Sequence, residues 1–269
     1  MLLMRVGLLQ RYPVKSMLGE VVDEMFVDQR GAEGDRRLAL LDVATGRVAS
    51  AKQPRLWRGL LQFTATGNTG SVRIELPDGR AVAANDPRID ELLSGVVGRT
   101  VRLISRRPQC ATVERPDPED VLEQGVDAEL DSRILEIGQG TPGDSFVDDA
   151  PLHLITAATL ERIDTEATRY RPNLVINTPP GYPAYAENDW EGRELSVGDV
   201  RLRVLSPTPR CALPTLEHGP LPRAPHAVRV PAAENRVPAG GFGILPCAGA
   251  YAEVITEGTI RTGDPVTLH

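Results

Sequence analysis

The adjacent pair Arg210 and Cys211 offers the clearest opportunity for chemistry in this sequence. The segment from 201 to 210 begins with alternating charged and apolar residues, as a half-buried strand does. Pro207 and Pro209 cannot donate ladder hydrogen bonds, so we expect the strand to end there. The guanidinium beside Cys211 favours a thiolate, which is a nucleophile or a metal ligand. The alternative is a small buried hydrophobe, the commoner role of a lone cysteine.

Lysine is almost absent from the chain. Of the 30 Lys and Arg residues, only Lys15 and Lys52 are lysine. A GC-rich genome would explain the excess of arginine, and chance alone would leave two lysines. Alternatively, each remaining ammonium group has a specific role.

The composition excludes several classes of protein. A chain of 269 residues, 41% of them hydrophobic, can form one large β domain or two smaller ones. The net charge of −7 without a basic stretch argues against a nucleic-acid partner. Three widely spaced cysteines, Cys110, Cys211 and Cys247, indicate a reducing compartment and not a disulfide framework. The sequence lacks a membrane-spanning apolar run and a signal peptide, so we expect a cytoplasmic protein without a membrane partner.

Short strand patterns separated by glycine and proline dominate the sequence and favour barrels or sandwiches. We expect strands at 38–42, 47–50, 71–76, 80–83, 101–104, 173–177, 200–205, 228–230 and 253–255. Residues 156–168 instead show helical spacing, with Thr156 as the N-cap. The start of such a helix either holds a phosphate or is an ordinary surface cap. The acidic, proline-containing run at 108–125 is interpreted as a linker between domains 1–107 and 126–269.

Six segments, in this order and spacing, resemble one known family. They are Tyr12–Gly19, Gly31–Arg36, Phe146–Thr156, Arg169–Ile176, Asp189–Trp190 with Leu195–Asp199, and Arg210–Cys211. The chain resembles the MOSC proteins (molybdenum cofactor sulfurase C-terminal domain) that carry a matching N-terminal β-barrel domain. The mitochondrial amidoxime-reducing components and their bacterial relatives belong to that group. The resemblance covers nearly the whole chain.

The resemblance implies a mostly β fold with a few helices and some α/β elements. An N-terminal MOSC-associated β-barrel domain, 1–107, would pack on a C-terminal MOSC β-barrel domain, 126–269, with 108–125 as the linker. It also implies a molybdenum–pyranopterin cofactor lying between the two domains. The pterin supplies dithiolene sulfurs, so one protein thiolate suffices, and Cys211 would be both the metal ligand and the catalytic residue.

The remaining cofactor contacts are implied by motif match as well. Arginine, lysine and amide groups suit a phosphate and the edge of a pterin. The residues expected to contact the cofactor are Lys15, Ser16, Arg36, Thr156, Arg171, Asn173, Arg210 and Cys211. His153, by contrast, is expected in the core.

The activity implied by the resemblance is the two-electron reduction of a small N-oxygenated substrate, such as a hydroxylamine or an amidoxime. A separate soluble donor of the reductase or ferredoxin/flavodoxin type would supply the electrons. The alternative is a sulfur carrier or a cofactor-handling protein with a persulfide on Cys211. A pyridoxal phosphate site using Lys15 or Lys52 is a weaker idea, because no phosphate motif accompanies either lysine.

Overall fold

The computed structural model describes residues 4–68 and 70–269. Strands hold 37% of the chain and helices 21%, which confirms the mostly β class. In chain order, the strands are β1 (Met4–Arg11), β2 (Glu20–Val22), β3 (Glu24–Asp28), β4 (Gly31–Ala32), β5 (Ala39–Asp42), β6 (Thr64–Thr66), β7 (Arg73–Glu75), β8 (Ala81–Ala83), β9 (Val101–Ile104), β10 (Thr112–Pro116), β11 (Ser132–Glu136), β12 (Leu152–Thr156), β13 (Leu174–Asn177), β14 (Glu194–Val197), β15 (Val200–Pro209), β16 (Arg236–Pro238), β17 (Ile244–Thr256), β18 (Gly258–Arg261) and β19 (Pro265–Leu268).

The helices are short. The α-helices are α1 (Pro54–Trp57), α2 (Ile89–Val97), α3 (Pro118–Gln124), α4 (Ala157–Ile163), α5 (Ala167–Tyr170) and α6 (His226–Glu234). Single 3₁₀ turns lie at Arg58–Gln62, Ala186–Trp190, Leu213–Thr215 and Gly240–Phe242. No described helix has the length and apolar character needed to cross a membrane.

Seven strands close into a barrel. The order around the ring is β12-β13-β1-β19-β14-β15-β17, and β17 pairs again with β12. Only β12 and β13 are parallel within this ring. The barrel encloses a core that includes Val6, Leu154, Leu202 and Ala252, all essentially inaccessible to solvent. Closure leaves these strands without free edges and holds their ends in fixed positions.

The predicted boundary at residue 107 does not separate two cores. Strand β1 pairs with β13 and β19, so the start of the chain is part of the barrel that the C-terminal half builds. Met25, Val27 and Ala32 bury their side chains in the same core. A second core is built around Leu40, Phe63 and other residues between 14 and 101. The apolar pattern of a strand does not show which strand it pairs with, so the contribution of the N-terminal strands to the C-terminal barrel could not be predicted from the sequence.

The predicted linker 108–125 is also folded. Strand β10 pairs with β11 along five residues each, and α3 follows β10 with Asp117 as its N-cap. Val113 is completely buried against residues that include Ala39 and Phe146. This burial fixes the β10–β11 hairpin in a packed cluster, so the segment 108–125 is folded and is not a flexible connection.

Other local predictions need correction. Residues 228–230 lie in α6, and 47–50 form only an isolated bridge from Val48 to Leu41. Strand β15 continues through Pro207 and Pro209, because its register against β17 shifts at both places and the missing donors are tolerated at such bulges. The helix predicted at 156–168 is two helices, separated by Asp164 with a φ of 58°.

Candidate functional site

A cavity of about 260 Å³ lies where the barrel, the second core and the β10–β11 hairpin meet. Its walls come from segments far apart in sequence. It brings together seven of the eight residues predicted to contact the cofactor: Lys15, Ser16, Arg36, Arg171, Asn173, Arg210 and Cys211. Seven of the predicted contact residues, which are far apart in sequence, therefore line one cavity.

Three of these residues have left-handed backbone conformations. The φ angles are 65° for Ser16, 45° for Arg36 and 57° for Arg171. Such a conformation costs a residue other than glycine about 1–3 kcal/mol, and it persists only where the surroundings impose it. The Ser16 hydroxyl accepts a hydrogen bond from the Ala51 amide at 3.0 Å, which holds one of these turns in place. Half of the six described non-glycine residues with positive φ thus lie on this cavity.

Both lysines of the chain reach the same carboxylate. Lys15 Nζ lies 2.7 Å and Lys52 Nζ 3.0 Å from Asp148 Oδ1. Burial of Lys15 lowers its pKa to about 8, although Asp148 opposes that shift. Burial alone would raise the pKa of Asp148, but the two ammonium groups outweigh it and hold that pKa well below the usual range. Asp148 is therefore an anion under all ordinary conditions.

Two arginines stack on the ring of Tyr12. The guanidinium carbon lies 4.8 Å from the ring centroid for Arg36 and 4.2 Å for Arg171. Arg36 also pairs with Asp35 at 2.5 Å and donates to the Arg171 carbonyl at 2.9 Å. The cation–π contacts and hydrogen bonds hold two like charges next to each other. Burial lowers the pKa of Arg171 to about 10, with Arg36 adding to the effect.

Two buried polar atoms of the cavity wall have no hydrogen-bond partner in the described part of the chain. They are Nη2 of Arg171 and Oγ1 of Thr208. The other terminal nitrogen of Arg171 donates to the Met17 carbonyl at 2.6 Å. A buried donor without a partner costs about 1–3 kcal/mol, so these atoms indicate a place built for a polar ligand.

The backbone of Arg210, directly before Cys211, is held by two hydrogen bonds. The amide of Arg210 donates to the Pro246 carbonyl at 2.9 Å, and its own carbonyl accepts from Arg115 Nη2 at 3.1 Å. The half-buried thiol of Cys211 packs with apolar side chains from both halves of the chain, among them Ala51 and Leu213. The cavity therefore presents one half-buried thiol at a fixed position.

His153 also lines the cavity, although the sequence placed it in the core. Its Nε2 lies 3.4 Å from Arg210 Nη2, and its ring meets Tyr251 edge-on with the centroids 6.1 Å apart. Burial, together with the charges of Arg210 and Arg36, holds the pKa of His153 well below its usual value. The imidazole is neutral, and in the tautomer with an unprotonated Nε2 it accepts a hydrogen bond from Arg210. The same guanidinium donates to the Thr208 carbonyl at 3.0 Å, so its direction is fixed.

Thr156 does not reach the cavity, and its placement there needs correction. It is the N-cap of α4, as the sequence predicted, and its hydroxyl accepts from the Thr159 amide at 3.2 Å. The same hydroxyl donates to the buried carboxylate of Glu187 at 2.9 Å. The side chain is wholly inaccessible to solvent and both of its hydrogen-bonding functions are used. Thr156 therefore organises α4 and does not contact a ligand in the cavity.

Asn173 lines the cavity, but its amide is occupied by the backbone. Its Oδ1 accepts from the His153 amide at 3.1 Å and its Nδ2 donates to the Gln10 carbonyl at 3.3 Å. It connects β12 with β1, and its contribution to the site is to position neighbouring residues.

Several cavity residues were not predicted, and their signals in the sequence were weak. Asp148 and His153 lie in Phe146–Thr156, one of the segments on which the family resemblance rests. The sequence does not show that they line the cavity, and the structure does. Lys52 was marked solely by the rarity of lysine. Across residues 4–68 and 70–269, no three His, Cys, Asp or Glu side chains cluster as a metal site would require.

Residues 143–267 match the family model of the MOSC domain, and residues 3–94 match that of the MOSC N-terminal beta barrel domain. The chain belongs to the MOSC family. The two matches cover most of the chain and contain all seven residues gathered at the cavity.

Curated relatives of this MOSC protein include amidoxime-reducing components. The chain is 24% identical to mitochondrial amidoxime-reducing component 1 of Homo sapiens, over 99% of this chain and 84% of that protein. It is 31% identical to the Mus musculus protein of the same name, over 46% of this chain and 38% of that protein. Among solved structures, the YUAD protein from Bacillus subtilis aligns over 100% of this chain and 96% of that chain, with 11% identity and a TM-score of 0.46. The relatives support a role associated with the molybdenum cofactor.

Proposed function

We propose that this MOSC protein binds a molybdenum–pyranopterin cofactor in the cavity and reduces N-hydroxylated compounds. One observation carries the proposal: a single half-buried thiol shares one cavity with cations supplied by both halves of the chain. Curated relatives named for amidoxime reduction add support. The class of reaction would be R–NHOH + 2e⁻ + 2H⁺ → R–NH₂ + H₂O.

The residues of the cavity fit such a cofactor. A thiolate is a soft ligand that suits a sulfur-ligated transition metal, which makes Cys211 the proposed metal ligand. The partnerless nitrogen of Arg171 and hydroxyl of Thr208 are available for the polar edge or the phosphate of the group. Lys15 and Arg36 add positive charge, which a phosphate requires when it is removed from water. When bound, the cofactor would supply the two-electron redox chemistry.

The chain itself would bind and orient the cofactor and exclude water from it. Arg36 and Arg171 are held against Tyr12 before any ligand arrives, so little side-chain entropy remains to be lost on binding. The neutral imidazole of His153 keeps the Arg210 guanidinium directed at the Thr208 carbonyl. Two fixed backbone hydrogen bonds on Arg210 set the position of the adjacent thiol.

The reduction needs two electrons, which the proposal takes from a separate soluble electron-transfer protein of the reductase or ferredoxin/flavodoxin type. The three free thiols are compatible with a reducing compartment, and we propose the cytoplasm. We also propose that the substrate is a small molecule.

The test uses protein produced in a host that synthesises the cofactor. We expect about one molybdenum per chain, as a single ligating thiol implies, and turnover of a hydroxylamine with an artificial reductant. Cys211→Ala should lose both the metal and the activity while its melting temperature stays within a few degrees of wild type. Cys110→Ala is the matched control, because Cys110 is exposed and outside the cavity.

Three results would contradict the proposal. Retention of full metal and activity by Cys211→Ala would remove the assigned ligand. Loss of metal in Cys110→Ala would show that the effect is not specific to the cavity. Purified wild type that holds sulfane sulfur on Cys211 but no molybdenum would favour the sulfur-carrier function instead.

A further inference from the structure

The wall of the cavity contains two large apolar side chains that are open to solvent. Eight large hydrophobic residues are exposed among those that the structure describes: Val21, Phe26, Val43, Val96, Ile134, Phe242, Ile244 and Ile255. Scattered exposure of this kind is normal. Two of the eight, Ile134 at 47% and Phe242 at 50%, line the same cavity as Cys211.

These two residues come from different hairpins that are joined to each other. Ile134 lies on β11, and Phe242 lies in the turn between β16 and β17. Arg236 on β16 pairs with Glu119 on α3, the helix that directly follows β10. The pairing of β10 with β11 completes the connection. The two apolar side chains are therefore held at one opening by a continuous set of contacts.

The turn that carries Phe242 is anchored. The Ala239 amide donates to the Gly243 carbonyl at 2.9 Å, and the Phe242 amide donates to the Ala239 carbonyl at 3.0 Å. Ala239 is fully buried, and Gly240 and Gly243 supply the positive φ angles of 53° and 91° that the turn requires. The exposed ring thus extends from a fixed backbone and is available to a ligand.

The cavity consequently has two zones. In its charged part Lys15 and Arg171 are buried and Arg36 is partly buried, while Ile134 and Phe242 are exposed to solvent. A ligand that satisfies both zones has a polar end directed inward and an apolar body outward. An apolar body gains contact with these two side chains, and a ligand with almost no body cannot make that contact.

We infer that Ile134 and Phe242 bind the body of the substrate and make this protein selective for N-hydroxylated compounds with an aromatic or aliphatic body. This inference rests on the proposed function. The two residues are specificity-determining contacts, and they have no part in holding the metal.

The experiment compares two neutral substrates that share one reacting group. N-Phenylhydroxylamine carries an aromatic body and N-methylhydroxylamine carries almost none. We expect kcat/KM for the phenyl compound to fall about tenfold in Phe242→Ala and in Ile134→Ala, because each variant removes an apolar contact. The methyl compound should change less than twofold. Ile244→Ala and Phe26→Ala are the controls, because both side chains are exposed but lie outside the cavity.

Equilibrium binding of both compounds to the oxidised holoprotein, measured by calorimetry without reductant, separates the two hypotheses. Turnover with an unchanged phenyl-to-methyl ratio in both cavity variants would overturn the inference and leave the proposed function standing. An equal loss in the control variants would also overturn it. A third outcome is that neither compound is turned over, but the protein binds the phenyl compound more tightly and Phe242→Ala abolishes that preference. This outcome would refute the reductase function and support the inferred binding zone. No phenyl preference in either measurement would refute the inference.

Discussion

The buried Lys15 ammonium should leave a measurable trace in the pH dependence of folding. Burial lowers its pKa from 10.5 to about 8 in the folded protein. Above pH 8 the folded chain has released this proton, while the unfolded chain still holds it. The unfolded state therefore binds more protons, and the free energy of unfolding rises with pH in this window. Replacing Lys15 by Met removes the titration and leaves the rest of the chain unchanged.

The expected size of the effect follows from the two pKa values. One pKa unit corresponds to about 1.4 kcal/mol, and full titration between about 8 and 10.5 would be worth about 3 kcal/mol. Between pH 7.5 and 9.5, we expect the unfolding free energy of wild type minus that of Lys15→Met to increase by about 2 kcal/mol. The assay is urea denaturation of protein without cofactor at three pH values. The subtraction cancels groups that titrate equally in both proteins.

Two further variants sharpen this measurement. Lys15→Arg carries a group that stays protonated, so wild type compared with this variant should show the same rise. In an Asp148→Asn background, Lys15 loses the carboxylate 2.7 Å away, and the rise should begin at lower pH. A difference that stays flat from pH 7.5 to 9.5 would mean that the ammonium is well hydrated, and it would refute the burial argument for this site.

Two other perturbations test how the cavity wall is built. Thr156→Val should lower the unfolding free energy by about 2 kcal/mol, because it removes the cap of α4 and a donor to Glu187, and the molybdenum content should stay at the wild-type level. Thr156→Ser is the control and should behave as wild type. Loss of metal in the Val variant would mean that Thr156 does contribute to the site. Gly249→Ala should cost at least about 3 kcal/mol in chemical denaturation, because its Cβ would lie 2.5 Å from His153 Nε2 at a φ of 78°. Gly59→Ala, with no atom within 4 Å, is the control, and equal stability of the two alanine variants would contradict the close approach of β17 to His153.

Much of the candidate site could be predicted from local sequence. The motif segments named seven side chains that share one cavity, and the N-cap role of Thr156 followed from its position before a helical pattern. Thr156 also shows the limit of this reasoning, since a helix start looks the same in sequence whether it faces a ligand or a buried carboxylate such as Glu187. The direction in which a helix start points is a tertiary property.

The sequence by itself determined the class of fold and the chemical inventory: short alternating strands, three cysteines, many arginines and two lysines. Only the tertiary structure decided which of these groups meet. Lys15 and Asp148 are 133 residues apart, and they touch because closure of the barrel places β1 between β13 and β19. The alternation of a strand specifies which face is buried but not which strand pairs with it, so long-range partners follow from packing the whole chain. The same packing turned the supposed linker 108–125 into β10 and α3 and paired β10 with β11, the strand that carries Ile134 on the cavity wall.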